Sequence, residues 1–426
     1  MTSLSTQPVK GMRDILGKQA RVKKKIEFII TQNAQKYGFE PMQVPVLENL
    51  DVLTVKGGGG EEAAKELFTL EDQAGRKLGM RFEFTTSLAR VIVGNPDLPK
   101  PIKALNVGTV YRYDNPQFMR YREFTQADCD IIGSRTPAAD AECLSLAIDV
   151  MKELGFDDFY LRVNDRRIIN ELISLGQIPA DRAKEAMRTL DKLDKIGIEG
   201  IKKELSEKNL PTDILTSLND PLTKIKKDLQ EGKLSMSGVD ALEEVFGLLA
   251  SQKKLKYVKF DPSLVRGLEY YTGMVCEVFA GAKVSVGGGG RYDNLIRSLG
   301  GPDLPAVGIS FGVDRLMDLL VDKMSEPSSE MYLIPIGDTV KESQALASQL
   351  REEGFRVEMD LMKRNIGKNM QYANAKQVPI VLFLGEDEKK QNSVKLRDMK
   401  TGEEKMLPFS PILKLKNEIN IILGKK

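Results

Sequence analysis

Residues 103–133 read KALNVGTVYRYDNPQFMRYREFTQADCDIIG, and this stretch decides the fold class that the sequence predicts. Two runs with strand character, KALNVGTVYRYD and EFTQADCDIIG, flank the loop NPQFMRYR. Extended runs joined by such a loop are typical of an antiparallel hairpin. We therefore predict an antiparallel hairpin with a long basic loop.

The ends of this hairpin are rich in arginine. Arg112 and Asp114 lie two residues apart, as do Arg122 and Phe124, so each pair shares one face of its strand. A guanidinium offers planar donors that match phosphate or carboxylate oxygens, and a neighbouring aromatic ring can stack on a nucleobase. A solvent-exposed ladder of cross-strand charges explains the same residues equally well. From the residues alone, both interpretations stay open.

Helical and strand patterns continue on both sides of the hairpin. Apolar residues at helical spacing predict a helix in residues 20–38, and AADAECLSLAIDVMKELG predicts another after the hairpin. FEPMQVPVLE predicts a strand that its two prolines favour at a sheet edge. Beyond residue 256, the segments KYVKFDPSLV, MVCEVFA, KVSVGGGG and AVGISFG predict further strands.

Length and composition divide the 426 residues into about three domains. Residues 166–256 are helix-forming and rich in Lys and Glu, which predicts a helical insertion between two parts of one core domain, 1–165 and 257–322. Residues 323–330 contain EPSSE and predict a linker. Strand and helix patterns alternate over 331–426, which predicts a small α/β domain with a net charge of +4.

The chain contains no histidine. This excludes a Ser/His/Asp triad, a Cys/His pair, a His-ligated zinc site and a histidine general base. Chemistry must therefore rest on carboxylates, arginines, lysines, tyrosines, backbone groups and metal brought by a ligand. The net charge of +2, from 63 Lys+Arg and 61 Asp+Glu, predicts no polybasic coat.

Cysteine usage and hydropathy indicate the compartment. Cys129, Cys143 and Cys276 are too few and too scattered for a disulfide framework or a CxxC metal site, which favours a reducing environment. No apolar run approaches the roughly 18 residues that span a bilayer. The segment MTSLSTQPVKGMRD lacks the apolar core of a signal peptide. We predict a cytoplasmic protein without a membrane partner.

Two motifs combine glycine with arginine or tyrosine. LVRGLEYYTG, at 264–273, sets Arg266 and Glu269 beside two tyrosines, an arrangement suited to an anionic ligand or to an ordinary turn and tyrosine core. VGGGGRYDNL, at 286–295, allows close backbone approach or positive φ, and no GK[ST] follows, so it is not a P-loop.

Three further segments are candidates for ligand contacts. AVGISFGVDRL, at 306–316, places Arg315 in the first turn of a helix, where an anion is favoured, although helix packing explains the pattern too. MRFEFTT, at 80–86, predicts a half-buried strand with Glu83 and Thr85 on one face. KGGGGEE, at 56–62, predicts a mobile loop, with a substrate lid as the alternative.

In order and spacing, these motifs resemble those of the histidyl-tRNA synthetases. The resemblance covers nearly the whole chain: KGMRD at 10–14, VPVLE at 44–48, the arginine hairpin at 111–124, LVRGLEYYTG at 264–273, GGRYDNL at 289–295 and GVDRL at 312–316. LVRGLEYYTG is the most specific of them. The family's fold is α+β, with the class II synthetase antiparallel sheet flanked by helices, a helical insertion and a C-terminal α/β anticodon-binding domain. The resemblance also implies a homodimer.

The resemblance implies a role for each matching residue. Arg112 would bind the α-phosphate of ATP, Phe124 would stack on adenine, and Arg315 would hold the γ-phosphate. Arg266 would stabilise charge at the reacting carboxylate, so the implied catalytic residues are Arg112, Arg266 and Arg315. The implied histidine-binding residues are Glu83, Thr85 and Gln126 for the α-amino group, Arg266 for the carboxylate, and Asp130, Tyr271 and Tyr292 for the imidazole.

The implied reaction has two steps. Histidine and ATP give histidyl-adenylate and pyrophosphate, and the terminal ribose hydroxyl of the tRNA for histidine then takes the histidyl group. Neither step demands a histidine side chain, because substrates supply the nucleophiles. Mg²⁺ is implied by the nucleotide, and no metal-ligand cluster is evident in the sequence. The lack of histidine excludes the threonyl relative, whose zinc site requires histidine ligands.

The chain departs from the family's pattern at a few positions. RFEFT stands where many members have RPEGT, and Asp114 and Asp130 stand where longer carboxylates are common. For tRNA, the resemblance leaves open whether solvated loops or contacts explain the hairpin-loop residues Asn115, Gln117, Met119 and Arg120 and the terminal-domain residues Lys363, Arg364 and Lys368.

Two alternatives come from other functional classes. One is a non-catalytic paralogue, such as the synthetase-like regulatory subunit of ATP phosphoribosyltransferase in histidine biosynthesis. The predicted terminal domain and the retained Arg112, Arg266 and Arg315 argue against it. The other is an RNA-binding regulator on the same scaffold, for which we would expect an appended basic or kinase-like extension.

Overall fold

A computed structural model describes residues 5–55, 64–265, 270–281, 284–324 and 326–425. The chain forms two compact units. The first comprises Met1–Asp14 with Lys23–Leu319, and the second comprises Ile15–Val22 with Leu320–Lys426. In the described part of the chain, no helix is long and apolar enough to cross a membrane.

The strands of the first unit form two sheets. They are β1 (Glu40–Pro41), β2 (Leu47–Asn49), β3 (Thr69–Glu71), β4 (Lys77–Met80), β5 (Ile102–Tyr111), β6 (Glu123–Ile132), β7 (Phe159–Asp165), β8 (Val258–Phe260), β9 (Met274–Ala280), β10 (Val284–Arg291) and β11 (Ala306–Gly312). The large sheet has the order β1-β5-β6-β11-β10-β9-β7-β8, and the small one has the order β2-β4-β3. The six central strands of the large sheet pair antiparallel, whereas β1 and β8 pair parallel at its edges.

Helices lie before, between and after these strands. Those that begin before residue 320 are α1 (Gly17–Lys36), α2 (Leu50–Leu53), α3 (Thr85–Gly94), α4 (Pro137–Glu153), α5 (Arg166–Leu175), α6 (Ala183–Leu190), α7 (Leu193–Glu207), α8 (Ile214–Ser217), α9 (Leu222–Glu231), α10 (Ser237–Ser251), α11 (Leu295–Ser298) and α12 (Val313–Leu320). The described residues between β7 and β8 contain helices and no strand. The domain boundaries drawn from the sequence stay predictions.

The hairpin prediction is confirmed. β5 and β6 pair antiparallel from Ile102 opposite Ile132 to Tyr111 opposite Glu123. Alternation along β6 buries Ala127 and other odd-numbered residues, whereas the even-numbered polar residues face a pocket. On the buried side, α4 packs against β11 and α10. The sheet therefore has one face covered by helices and one that lines the pocket.

The second unit is a five-stranded α/β unit. Its elements are β12 (Met331–Pro335), α13 (Val340–Glu352), β13 (Val357–Met359), α14 (Ile366–Ala375), β14 (Ile380–Leu384), α15 (Glu386–Lys390), β15 (Ser393–Asp398), β16 (Glu404–Pro408) and α16 (Leu413–Leu423). The sheet order is β13-β12-β14-β15-β16, with a core of buried Leu, Ile, Val and Met side chains. The predicted alternation of strand and helix is confirmed here.

The segment MRFEFTT differs from its sequence prediction. The strand ends at Met80, and α3 begins at Thr85, so the prediction of a half-buried strand through these residues is wrong. Arg81, Phe82 and Phe84 are all buried. The reason is the carboxylate of Glu83, which binds the free N–H groups at the start of α3 and favours a helix over a continued strand.

Candidate active site

A cavity of about 450 Å³ lies on the open face of the large sheet. Its lining includes nine residues that the sequence resemblance singled out: Glu83, Thr85, Arg112, Phe124, Gln126, Asp130, Tyr271, Tyr292 and Arg315. The tenth, Arg266, lies outside the described residues, as do Glu269 and the KGGGGEE segment. Residues from five separate sequence motifs therefore meet in one pocket.

Arg112 and Arg315 line this pocket, and both donate hydrogen bonds to carbonyl oxygens. Arg112 donates from Nε to the carbonyl of Phe82 at 3.0 Å and from Nη2 to Oε1 of Gln126 at 3.4 Å. Arg315 donates to the carbonyls of Met119 at 3.2 Å and Ser285 at 2.9 Å. These carbonyl acceptors orient each guanidinium, whose planar donors match phosphate or carboxylate oxygens.

The hairpin arginines divide between the two interpretations left open by the sequence. Arg120 and Asp114 form a two-point ion pair, with nitrogen–oxygen distances of 2.8 and 2.9 Å, as the charge-ladder interpretation predicts. Arg112, Asp114 and Arg120 all line the pocket, and the guanidinium carbon of Arg112 lies 5.2 Å from the ring centre of Phe124. The pair of Arg112 and Phe124 thus has the composition suited to a phosphate and a base.

Glu83 and Thr85 lie where α3 begins. The Glu83 carboxylate accepts hydrogen bonds from the backbone N–H groups of Thr85 at 2.5 Å and Thr86 at 2.8 Å, and from the hydroxyl of Thr86. Glu83 is buried and still lines the pocket. The start of the helix therefore holds a carboxylate in a fixed position at the pocket wall.

Asp130 forms the floor of the pocket. Its Oδ1 accepts a 2.6 Å hydrogen bond from the hydroxyl of Tyr292, and its Oδ2 has no hydrogen-bond partner in the described structure. Burial raises the pKa of Asp130 to about 7; the Tyr292 hydrogen bond opposes this shift, and the charge of Glu83 adds to it. The floor therefore offers one unsatisfied carboxyl oxygen to a ligand.

Glycine opposite Asp130 makes room for this carboxylate. Gly308 on β11 pairs in register with Asp130 on β6, and a Cβ at Gly308 would overlap the carboxylate. On β10, a Cβ at Gly289 would overlap the carbonyl of Gly308, and one at Gly287 would lie 2.6 Å from the carbonyl of Ser310. The VGGGG run forms part of a strand without positive φ, so close approach explains its glycines.

Three tyrosines pack along one wall. The ring centres of Tyr270 and Tyr271 lie 4.9 Å apart, and those of Tyr270 and Tyr292 lie 5.6 Å apart, both edge to face. Burial raises the pKa of Tyr271 and of Tyr292, so both phenols keep their protons near neutral pH. A neutral phenol can both donate and accept a hydrogen bond. The tyrosine core that the sequence offered as one alternative is present, and its three members also line the pocket.

Sequence reasoning missed Asp128 and Ser310. The Ser310 hydroxyl donates to Asp128 at 2.5 Å and accepts from Gln126 at 2.7 Å, and Gln126 in turn accepts from Arg112. Burial, with a smaller contribution from Asp130, raises the pKa of Asp128 well above its usual range. The spacing of Asp128, two residues from both Gln126 and Asp130, is the signal that would have placed it on the pocket face.

The fold and the pocket define a class of protein. An antiparallel sheet that carries an arginine-lined cavity, joined to a separate five-stranded α/β unit, is the architecture of a class II aminoacyl-tRNA synthetase. The family model described as histidyl-tRNA synthetase matches residues 11–316, and the model described as anticodon binding domain matches residues 330–417. The chain belongs to the histidyl-tRNA synthetase family, which is a family of aminoacyl-tRNA ligases.

Individual relatives agree with this assignment. The histidine–tRNA ligase of Pyrobaculum arsenaticum is 35% identical over 430 residues, covering 97% of this chain and 100% of that protein. Histidine–tRNA ligase 1 of Bacillus cereus is 34% identical over 418 residues, covering 95% of each chain. The crystal structure of histidyl-tRNA synthetase from Nostoc sp. PCC 7120 superposes with a TM-score of 0.86 at 25% identity, covering 98% of this chain and 100% of that one.

One further solved structure shares the fold. It is described as an ATP phosphoribosyltransferase regulatory subunit/histidyl-tRNA synthetase from Bacillus halodurans, and it superposes with a TM-score of 0.75 at 24% identity. The match covers 90% of this chain and 99% of that one. At this identity the likeness shows the fold alone.

Proposed function

We propose that this chain is a histidine–tRNA ligase, which activates histidine with ATP and transfers it to the 3′-terminal ribose of its tRNA. The observation that carries the proposal is the composition of a single pocket. Arg112 and Arg315 provide positive charge for a nucleotide, and Asp130 lines the same cavity with one carboxyl oxygen that has no hydrogen-bond partner among the described residues. One cavity therefore offers complementary groups for both substrates of the first step.

Histidine recognition rests on paired polar groups. Asp130 accepts a hydrogen bond from one imidazole N–H, and Tyr271, with Tyr292 beside it, meets the other ring nitrogen. Glu83, Thr85 and Gln126 hold the α-amino group. An amino acid without an imidazole would leave the buried Asp130 carboxyl unsatisfied, which costs about 1–3 kcal/mol or more. Such a pocket discriminates at the binding step.

The activation step follows from charge placement. The histidine carboxylate attacks the α-phosphorus of ATP, an oxygen–phosphorus bond forms, and the bond to the pyrophosphate oxygen breaks. Arg112 binds the α-phosphate, Phe124 stacks on adenine, and Arg315 holds the γ-phosphate. Because the nucleophile is already an anion, positioning and charge stabilisation carry this step. Arg266 is expected to contact the reacting carboxylate.

Mg²⁺ supplies charge neutralisation on the phosphates when it is bound. Among the described residues, no group of three Asp, Glu or Cys side chains is arranged to hold a metal ion. Mg²⁺ commonly keeps several waters and binds through substrate phosphates. We therefore expect it to arrive with ATP.

The proposed function also includes transfer of the histidyl group to tRNA and assembly of the chain as a homodimer. The terminal ribose hydroxyl of the tRNA attacks the carbonyl of histidyl-adenylate, a phosphate oxygen accepts the proton, and AMP leaves. The second unit, which matches the anticodon-binding family, would contact the anticodon stem. A homodimer and a cytoplasmic location complete the proposal.

Charging of tRNA tests this function against the regulatory alternative. The full-length protein is incubated with ATP, Mg²⁺, labelled histidine and total tRNA, and acid-precipitable label is measured. A ligase forms histidyl-tRNA in proportion to enzyme and time. A regulatory subunit would bind histidine without any label entering tRNA, and that outcome would reject the proposal.

Substitution of Gly308 by alanine is expected to lower histidine-dependent activity about 100-fold or more, because the new Cβ would displace the Asp130 carboxylate. The measurement is the KM for histidine in ATP–pyrophosphate exchange, with folding checked by thermal unfolding. Gly247→Ala is the control, since a Cβ there meets no atom within 4 Å in helix α10. An unchanged KM for histidine in a folded Gly308→Ala variant would contradict the assigned floor of the pocket.

A further inference from the structure

The N-terminal strap, residues 9–14, lies against the loop that joins β5 to β6. The backbone N–H of Arg122 in this loop donates to the carbonyl of Gly11 at 2.8 Å. Gly11 has a φ of +86°, and a Cβ there would lie 2.8 Å from the side chains of both Pro116 and Arg122. Both the backbone conformation and the close approach therefore require glycine in the strap.

Arg13 in the strap contacts both the loop and helix α12. Its guanidinium donates to the Tyr121 hydroxyl at 2.8 Å and to the carboxylates of Asp314 and Asp318, each at 3.1 Å. The guanidinium carbon also lies 3.6 Å from the ring centre of Tyr121. The planar, forked guanidinium can meet these three groups at once, whereas a lysine ammonium cannot stack in the same way.

Tyr121 closes this network. Its hydroxyl accepts from Arg13 and donates to Asp318 at 2.7 Å. Burial, followed by the hydrogen bond to Asp318, raises the pKa of Tyr121 to about 12, so the hydroxyl keeps its proton at neutral pH. Asp314 also accepts from the backbone N–H of Thr125 at 2.7 Å and pairs with Lys23 at 3.2 Å. The carboxylates of Asp314, which is buried, and Asp318, which is partly buried, thus connect the loop and the start of β6 to α12.

The same loop and helix orient Arg315. This residue follows Asp314 on α12, and its Nε donates to the carbonyl of Met119, which lies two residues before Tyr121. Met119 has a φ of +61°, a conformation uncommon for a residue other than glycine. Met119, Tyr121 and Arg315 line the pocket. The loop therefore helps to orient the Arg315 guanidinium, together with the Ser285 carbonyl at 2.9 Å, and Arg13 holds the loop.

We propose that Arg13 is a positioning residue for the phosphate-binding end of the pocket. It holds the loop and α12 in the arrangement that presents Arg315 to the phosphates of ATP. Within the described part of the chain, Arg13 is absent from the pocket lining, so it acts through Tyr121, Met119 and Arg315. The inference rests on the proposed function, because that function supplies the nucleotide.

Arg13→Ala and Arg13→Lys test the proposal in the full-length protein. Misplacement of Arg315 is expected to raise the KM for ATP in exchange about tenfold, with the KM for histidine changed less than about twofold. The Kd for ATP, measured by calorimetry without histidine, should rise by a similar factor. Arg13→Lys should fall between the wild type and Arg13→Ala, because it keeps a charge for the carboxylates and loses the stack on Tyr121.

A purely structural role for Arg13 makes a different prediction. It would lower the folded fraction and kcat while the KM and Kd for ATP stayed at wild-type values, and this result would overturn the proposal. Arg76→Ala is the matched control, since Arg76 forms an exposed ion pair with Asp72 at 2.6 Å outside the pocket. Its ATP values should remain those of the wild type.

Tyr121→Phe covers the case in which the Arg13 variants do not fold. It keeps the ring under Arg13 and removes the hydroxyl that joins Arg13 to Asp318, so the KM for ATP should rise about threefold. An unchanged value would overturn the proposal. If the wild type shows no histidine-dependent exchange, the proposed function fails instead, and the calorimetric Kd for ATP still decides the role of Arg13.

Discussion

Replacement of Arg112 by alanine is expected to lower kcat/KM for histidine-dependent ATP–pyrophosphate exchange by roughly 100- to 1000-fold. The Arg112 guanidinium donates to the Phe82 carbonyl at 3.0 Å and to Gln126 at 3.4 Å. These hydrogen bonds fix its orientation before substrate binds. Preorganised charge at a developing anion is usually the largest single catalytic contribution. The measurement is exchange kinetics at saturating histidine with varied ATP.

Two comparisons make this result specific. Arg112→Lys keeps the positive charge and loses the planar fork, so its activity should lie between those of the wild type and Arg112→Ala. Arg135→Ala should match the wild type, because Arg135 forms an exposed ion pair with Asp303 at 2.7 Å. A loss in Arg112→Ala no larger than that in Arg135→Ala would remove Arg112 from the reaction.

Replacement of Asp130 by asparagine is expected to raise the KM for histidine about 10- to 100-fold, with little change in the KM for ATP. The amide keeps the shape of the side chain and loses the charge that strengthens a hydrogen bond from the imidazole. Steady-state exchange with varied histidine measures the effect. Asp303→Asn, a change at an exposed aspartate, is the control, and equal KM values in the two variants would contradict the assignment of Asp130.

The pKa of Asp130 gives this prediction a pH dependence. The carboxyl has a pKa of about 7 in the folded chain, raised by burial from its usual acidic range, so it is mostly protonated below pH 7. A protonated carboxyl accepts poorly from an imidazole N–H, and free imidazole is itself protonated below about pH 6.5. The wild-type KM for histidine should therefore rise as the pH falls through 7, and Asp130→Asn should flatten this rise.

The raised pKa of Asp130 also makes the stability of the folded protein depend on pH. A carboxyl whose pKa is raised by folding holds its proton more tightly in the folded state, so its contribution to stability is lost as the pH rises through about 7. Thermal unfolding of the ligand-free wild-type protein should show that its stability falls between pH 6 and pH 8, because Asp130 loses its proton in this range. Asp130→Asn removes that titration, and an identical pH profile in both proteins would contradict the raised pKa.

Much of the fold could be predicted because patterns among residues close together in the sequence determine it. The strand runs around NPQFMRYR specify the hairpin, and alternation along β6 places Gln126 and Asp130 on the same face. The family motifs then indicated which residues would meet in one pocket. The same alternation, applied without the motifs, would also have included Asp128.

Other features depend on contacts between residues far apart in the sequence. MRFEFTT has the alternation of a strand, but Glu83 binds the free N–H groups of α3 and ends the strand at Met80. Gly308 is required by the register of β11 against β6, which places it opposite Asp130. Arg13 lies about 300 residues from Asp314 and Asp318, and no local pattern links them.

The central claim is that this pocket activates histidine. ATP–pyrophosphate exchange, measured with the full-length protein and each of the standard amino acids in turn, tests it most directly. The structure predicts exchange that depends on histidine, with the other amino acids at background, because they leave the Asp130 carboxyl unsatisfied. Exchange with another amino acid in place of histidine, or no exchange with any of them, would contradict the claim.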